Sequence, residues 1–115
     1  KYAGRQIVSS DFVSLVGKPA EGISELPVMG ENRHRFENAS QHYGLLWWNN
    51  GDGTIADVPK DAYWSWGLKE SLIVVVPSLD LVIARAGEKG WQSDDWGSSY
   101  EVISPFLAPI CRSCK

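Results

Sequence analysis

The chain has 115 residues, 43% of them hydrophobic and 22% charged, with a formal net charge of -3 at pH 7. That length allows one modest core, and no apolar run approaches the roughly 18 residues that a membrane-spanning helix needs. Lys and Arg are scattered along the chain, so no basic face suited to nucleic acid stands out.

The first residues, KYAGRQIV, lack the apolar core and cleavage site of a signal peptide. The chain opens in mid-pattern without Met and reads as a piece of something longer; a mature secreted protein with its leader removed would begin in the same way. Residues 7 to 19, IVSSDFVSLVGKP, predict a short helix. Ser9 or Ser10 can cap it, Asp11 suits its positive end, and Gly17 and Pro19 supply the stop. Residues 20 to 41 show no sustained period and predict a long irregular loop of the kind that often carries function.

Tyr43 to Trp48 predicts an aromatic strand of a hairpin, turned by NNGDG at 49 to 53, where Gly and Asn tolerate positive φ. Leu72 to Val76 and Leu81 to Ala84 predict antiparallel strands joined by PSLD. Their unbroken apolar character predicts that both faces are covered. Val102, Ile103, Phe106, Leu107 and Ile110 fall on one helical face. Pro105 fits a first turn near Ser104, and Pro109 predicts a kinked or two-part helix. Helix, loop, antiparallel strands and helix make an α+β arrangement in one domain.

Complete catalytic constellations are absent from the sequence. There is no G-x-S-x-G, S-x-x-K, S-D-N or K-T-G. His34 lies in the charged segment ENRHR and reads as solvated; His42 precedes a strand and reads as core, rim or base. Gly51 and Gly53 mark a turn without the Lys-Ser or Lys-Thr of a phosphate loop, and a calcium loop fails because Trp48 stands where a carboxylate is required. Cys111 and Cys114 form a terminal C-x-x-C without partner ligands, which reads as a disulfide or as two idle thiols, with metal or redox work the lesser alternative. No cofactor is called for.

The run YGLLWWNNGDGT followed by YWSWGLKESLIVVVPSLDLVIARAG resembles the C-terminal portion of the serine β-lactamase-like family, which includes class C β-lactamases, DD-peptidases and related esterases. The opening GRQIVSSDFVSLVGKP resembles that family's helix before the aromatic strand. The match covers most of the chain, and its specificity lies in order and spacing. The resemblance implies that residues 1–115 are the C-terminal portion of one serine hydrolase domain acting on ester or amide bonds, β-lactams among them, through an acyl-enzyme. The catalytic Ser and Lys would lie upstream of this chain, so no catalytic residue is expected within it.

The resemblance also places a third motif on Ser65, Trp66 and Gly67, with the Leu68 N–H as candidate oxyanion donor; these four are the expected substrate-binding residues. Ser65 stands where the family carries Lys or His, and Trp66 where it carries a small residue. That departure argues against penicillin-type specificity. Such a chain is expected to need the rest of its own polypeptide or an oligomeric partner, and the family is commonly periplasmic or secreted. Two other readings remain open from the residues: an inactive relative, and a ligand- or carbohydrate-binding module using Trp47, Trp48, Trp64, Trp66, Trp91 and Trp96 as platforms. Adjacent Trp47 and Trp48 would face opposite sides of a strand, and Trp91 and Trp96 sit in a polar segment.

Overall fold

Ser9 opens the first helix. Its hydroxyl accepts a hydrogen bond from the Phe12 N–H at 3.2 Å, occupying a donor that the helix start leaves without an intrahelical partner. Helix α1 runs Ser10–Val16, carries Asp11 in its first turn and ends at Gly17. The computed structural model describes residues 2–27, 42–67, 71–87 and 103–114. The described part of the expected 20-to-41 loop contains a short 3-10 turn, Ile23–Glu25. Residues 28–41, including His34, lie outside the described residues, as do Leu68, Trp91, Trp96 and Val102.

The expected strand over Tyr43–Trp48 is replaced by a tight turn. The Gly44 N–H donates to the Trp47 carbonyl at 2.7 Å, Leu46 adopts a φ of 64°, and Tyr43 bridges Trp48. Strand β1 is therefore only Trp48–Asn49. The cause is a close approach: a β-carbon on Gly44 would stand 2.2 Å from the Lys18 carbonyl oxygen, so only glycine lets this turn press against the chain leaving α1. The NNGDG segment does turn, with Gly53 at φ 80° and its N–H donating to the Asn50 carbonyl at 2.8 Å. It leads into an irregular connection rather than straight into the next strand.

Strands β2 (Tyr63–Gly67), β3 (Ser71–Val76) and β4 (Leu81–Arg85) follow as an antiparallel meander. The sheet order is β1-β2-β3-β4. Pro77–Leu79 forms a 3-10 turn between β3 and β4, and Asp80 closes it at φ 48°. Helix α2 spans Ser104–Ser113 with Pro105 in its first turn. Over the described residues the fold is α+β, a four-stranded antiparallel sheet with two helices.

Of the expected kinked or two-part helix, the two-part form is not adopted: α2 is one continuous helix with Pro109 inside it. Pro109 would have bonded the carbonyl of Pro105, four residues back and still in the first turn. The missing hydrogen bond therefore falls near the helix start, and the exposed side of α2 leaves room for the ring.

Strand alternation sorts the side chains. Trp64, Leu72, Val74, Val76 and Ile83 form one cluster with Ile103, Leu107, Ala108 and Cys111 around α2, closed at the β1 end by Ile55, Val58 and Ala62. Trp64 and Val74 are 0% exposed, and each such side chain contributes roughly 1.5–3 kcal/mol by leaving water. The opposite face corrects the expectation of a sheet covered on both sides. Ile73 is 49% and Val82 67% exposed, so the apolar runs alternate between a helix-covered face and an open one. An uninterrupted apolar sequence cannot reveal this, because both faces carry the same residue type.

Candidate functional site

The aromatic run on β2 divides by parity. Trp64 lies wholly inside the core. Trp66 packs against the same core cluster, with its ring edge-on to Trp48 at a centroid distance of 6.4 Å. Tyr63, Ser65 and Gly67 alternate to the open face, where Ser65 registers opposite Ile73 and, beyond it, Ala84. The four residues expected to line a cleft are thus only partly brought together. Ser65 and Gly67 share the open face, Trp66 belongs by its side chain to the other, and Leu68 lies outside the described residues.

The outer edge of β2 adds a second feature. Strand β1 pairs only with Tyr63 and Trp64. Among the described residues no strand continues alongside Ser65, Trp66 and Gly67, although β3 holds them firmly from the inner side. Gly67 has no positive φ, and a β-carbon there would meet Ser71 only at 3.6 Å. A β-carbon at 67 would therefore fit without backbone strain, and glycine leaves that space open.

The other aromatic rings are engaged with one another. Tyr43 stands edge-on to Trp48 at 5.0 Å, and Trp47 edge-on to Tyr63 at 5.4 Å. Trp47 thus joins Tyr63 on the open-face side and Trp48 joins Trp66 on the covered side, the opposite placement expected of neighbours. These edge-to-face packings account for Trp47, Trp48 and Trp66 as structure.

Polar side chains lock the approach to β2. Asn50, wholly buried, donates from Nδ2 to the Ile55 and Val58 carbonyls at 3.1 and 2.9 Å and accepts from the Ile55 N–H at 2.9 Å. Asn49 bridges the His42 carbonyl to the Gly51 N–H. His42, 3% exposed, sets Nδ1 at 3.4 Å from Asp52 Oδ2. Burial alone would raise the Asp52 pKa, but the Thr54 N–H and hydroxyl, together with the neighbouring His42, lower it overall.

A groove of about 650 Å³ runs between α1 and the open-face side of β2, lined by Val13, Gly17, Lys18, Lys60, Tyr63 and Pro77 among others. Sequence reading missed it because its walls come from segments far apart along the chain. The hint was Gly17, read only as a helix stop, which also sits against the Tyr63 ring.

Cys111 is buried and Cys114 exposed, and no disulfide joins them. Among the described residues no group of three or more His, Cys, Asp or Glu side chains converges on a metal-sized site, and no helix is long and apolar enough to cross a membrane. Comparison with protein-family models, with curated proteins and with solved structures finds no match.

Proposed function

We propose that this chain is the C-terminal portion of a serine hydrolase of the β-lactamase-like family, acting on ester or amide bonds through an acyl-enzyme, and that the Ser65–Gly67 end of β2 forms one wall of its cleft. The observation that supports the reading is the end of β2, which β3 holds from one side and where Gly67 leaves space for a ligand to approach. A substrate can come close to a glycine backbone, which carries no side chain to exclude it.

In this reading a serine hydroxyl contributed from upstream of Lys1 attacks the carbonyl carbon while a neighbouring base takes its proton. The alcohol or amine leaves with a proton, and water then cleaves the acyl-enzyme to the acid and regenerates the serine. The role of this chain is to align the substrate along β2. The Leu68 N–H is the candidate donor to the oxyanion. Ser65 in place of a Lys or His offers a hydroxyl rather than a cation, which favours substrates other than penicillins. The exposed apolar side chains of α1, Phe12, Val13 and Leu15, and of the sheet, Ile73 and Val82, support a remainder of the polypeptide or a partner that covers them.

Treating the full-length protein with a serine-directed fluorophosphonate tests the reading. Turnover of a p-nitrophenyl ester should disappear as one serine is labelled, and peptide mapping should place that serine outside residues 1–115. A labelled serine within this chain, or a folded protein with neither turnover nor labelling, overturns it.

A further inference from the structure

We propose that the groove between α1 and β2 binds a small organic carboxylate, its apolar body lying on the groove floor and its charge held between Lys18 and Lys60. This site is separate from the Ser65–Gly67 wall and does not rest on the hydrolase reading. Its size, about 650 Å³, lies within the roughly 300–1,000 Å³ typical of small-molecule sites.

The floor is apolar and depends on one glycine. Val13, Tyr63 and Pro77 line it, and a β-carbon at Gly17 would stand 3.1 Å from Tyr63 Cδ1. Any side chain at 17 would press on the ring that forms the base. An aryl or alkyl body of a few carbons fits such a surface and leaves water behind on entering.

The charges of the groove do not cancel. Lys18, Lys60 and Asp61 all line it, two positive charges against one negative, and each Asp61 oxygen already accepts from Ser78. Oδ2 accepts from the Ser78 N–H at 2.7 Å and Oδ1 from the Ser78 hydroxyl at 2.9 Å. Neither lysine has an ion-pair partner among the described residues. The Lys60 stem is also guided, because Gly53, at φ 80°, lies beneath it where a β-carbon would come within 2.8 Å of Cε. Two cations against one carboxylate leave a net positive charge and donors in excess, and an anionic ligand satisfies them. Burial raises the Tyr63 phenol pKa, so that group stays protonated and cannot repel an anion. With a net charge of -3 on the chain, attraction must come from this local pair, so it should weaken as salt screens it.

The test is a titration of the full-length protein with phenylbutyrate and, in parallel, with phenylbutanol, which has the same body without the charge, followed by NMR. The carboxylate should bind at least about tenfold tighter, with shift changes centred on Val13, Gly17 and Tyr63. The Lys18→Gln/Lys60→Gln double variant, altered only at exposed positions, should lose that preference and keep the alcohol's weak binding. Equal affinity for the two probes, a preference that survives in the double variant, or no binding of either probe to the folded protein overturns the proposal.

Discussion

Asn50 grips Ile55 from both sides, its Oδ1 accepting the Ile55 N–H and its Nδ2 donating to the Ile55 carbonyl. One side chain thereby does what a partner strand would do for a buried residue of an irregular segment, and the same Nδ2 reaches Val58. Asn50→Leu should cost about 2–4 kcal/mol, because it strands buried backbone donors and acceptors that water cannot reach. Urea unfolding of the full-length protein measures it, and a loss below about 1 kcal/mol would show that the connection re-forms these bonds elsewhere.

Gly44 and Gly67 make a matched pair for testing space against chemistry. Gly44→Ala places a methyl group 2.2 Å from the Lys18 carbonyl oxygen, a contact that backbone must move to relieve. A drop in melting temperature of about ten degrees or more is expected, the effect of a few kcal/mol in a domain this small.

Gly67→Val should leave folding largely intact, since the added carbon meets Ser71 only at ordinary contact distance and a β-branched residue suits a strand. If β2 lines the cleft, the same change lowers kcat/KM of the full-length hydrolase by about tenfold or more, close to 1.4 kcal/mol of transition-state stabilisation. Circular dichroism confirms the fold of the variant. Unchanged kcat/KM in a folded Gly67→Val enzyme would remove this strand end from the cleft.

The Asp52 carboxyl carries a pH signature. Its pKa is lowered in the folded chain, so its contribution to stability is fully present above the ordinary carboxylate value of about 3.9. That contribution fades as the pH falls through the still lower folded value. Asp52→Asn should therefore be less stable than the parent at neutral pH, and the gap should close in acid. Thermal melts of both proteins from neutral pH downward decide it, and a gap that widens in acid would contradict the assignment.

Much of the architecture was legible because it rests on local chemistry. The Ser9 cap, the Asp11 position, Pro105 at the start of α2 and the PSLD connection are each set by residues a few positions apart. The turn at Gly44 was hidden because its cause, the Lys18 carbonyl, comes from another segment. The open sheet face was hidden too, since Ile73 and Val74 are equally apolar yet only one meets α2. At the candidate site the sequence singled out Ser65, Trp66 and Gly67 but not that parity turns Trp66 away from the other two. The groove beside Tyr63 depends on tertiary proximity throughout, so no window of sequence could have disclosed it.

The four-residue link from Pro77 to Asp80 also bears on the order in which the chain assembles. Three residues separate β2 from β3 and four separate β3 from β4, so this meander loses little chain entropy before its contacts form. It is the natural nucleus, while the grip of Asn50 on Ile55 must wait until the residues ahead of β2 have settled. In stopped-flow experiments Val74→Ala should chiefly slow refolding, and Asn50→Ala chiefly hasten unfolding. The segment that folds first would then be the scaffold on which the slower residues ahead of β2 are laid.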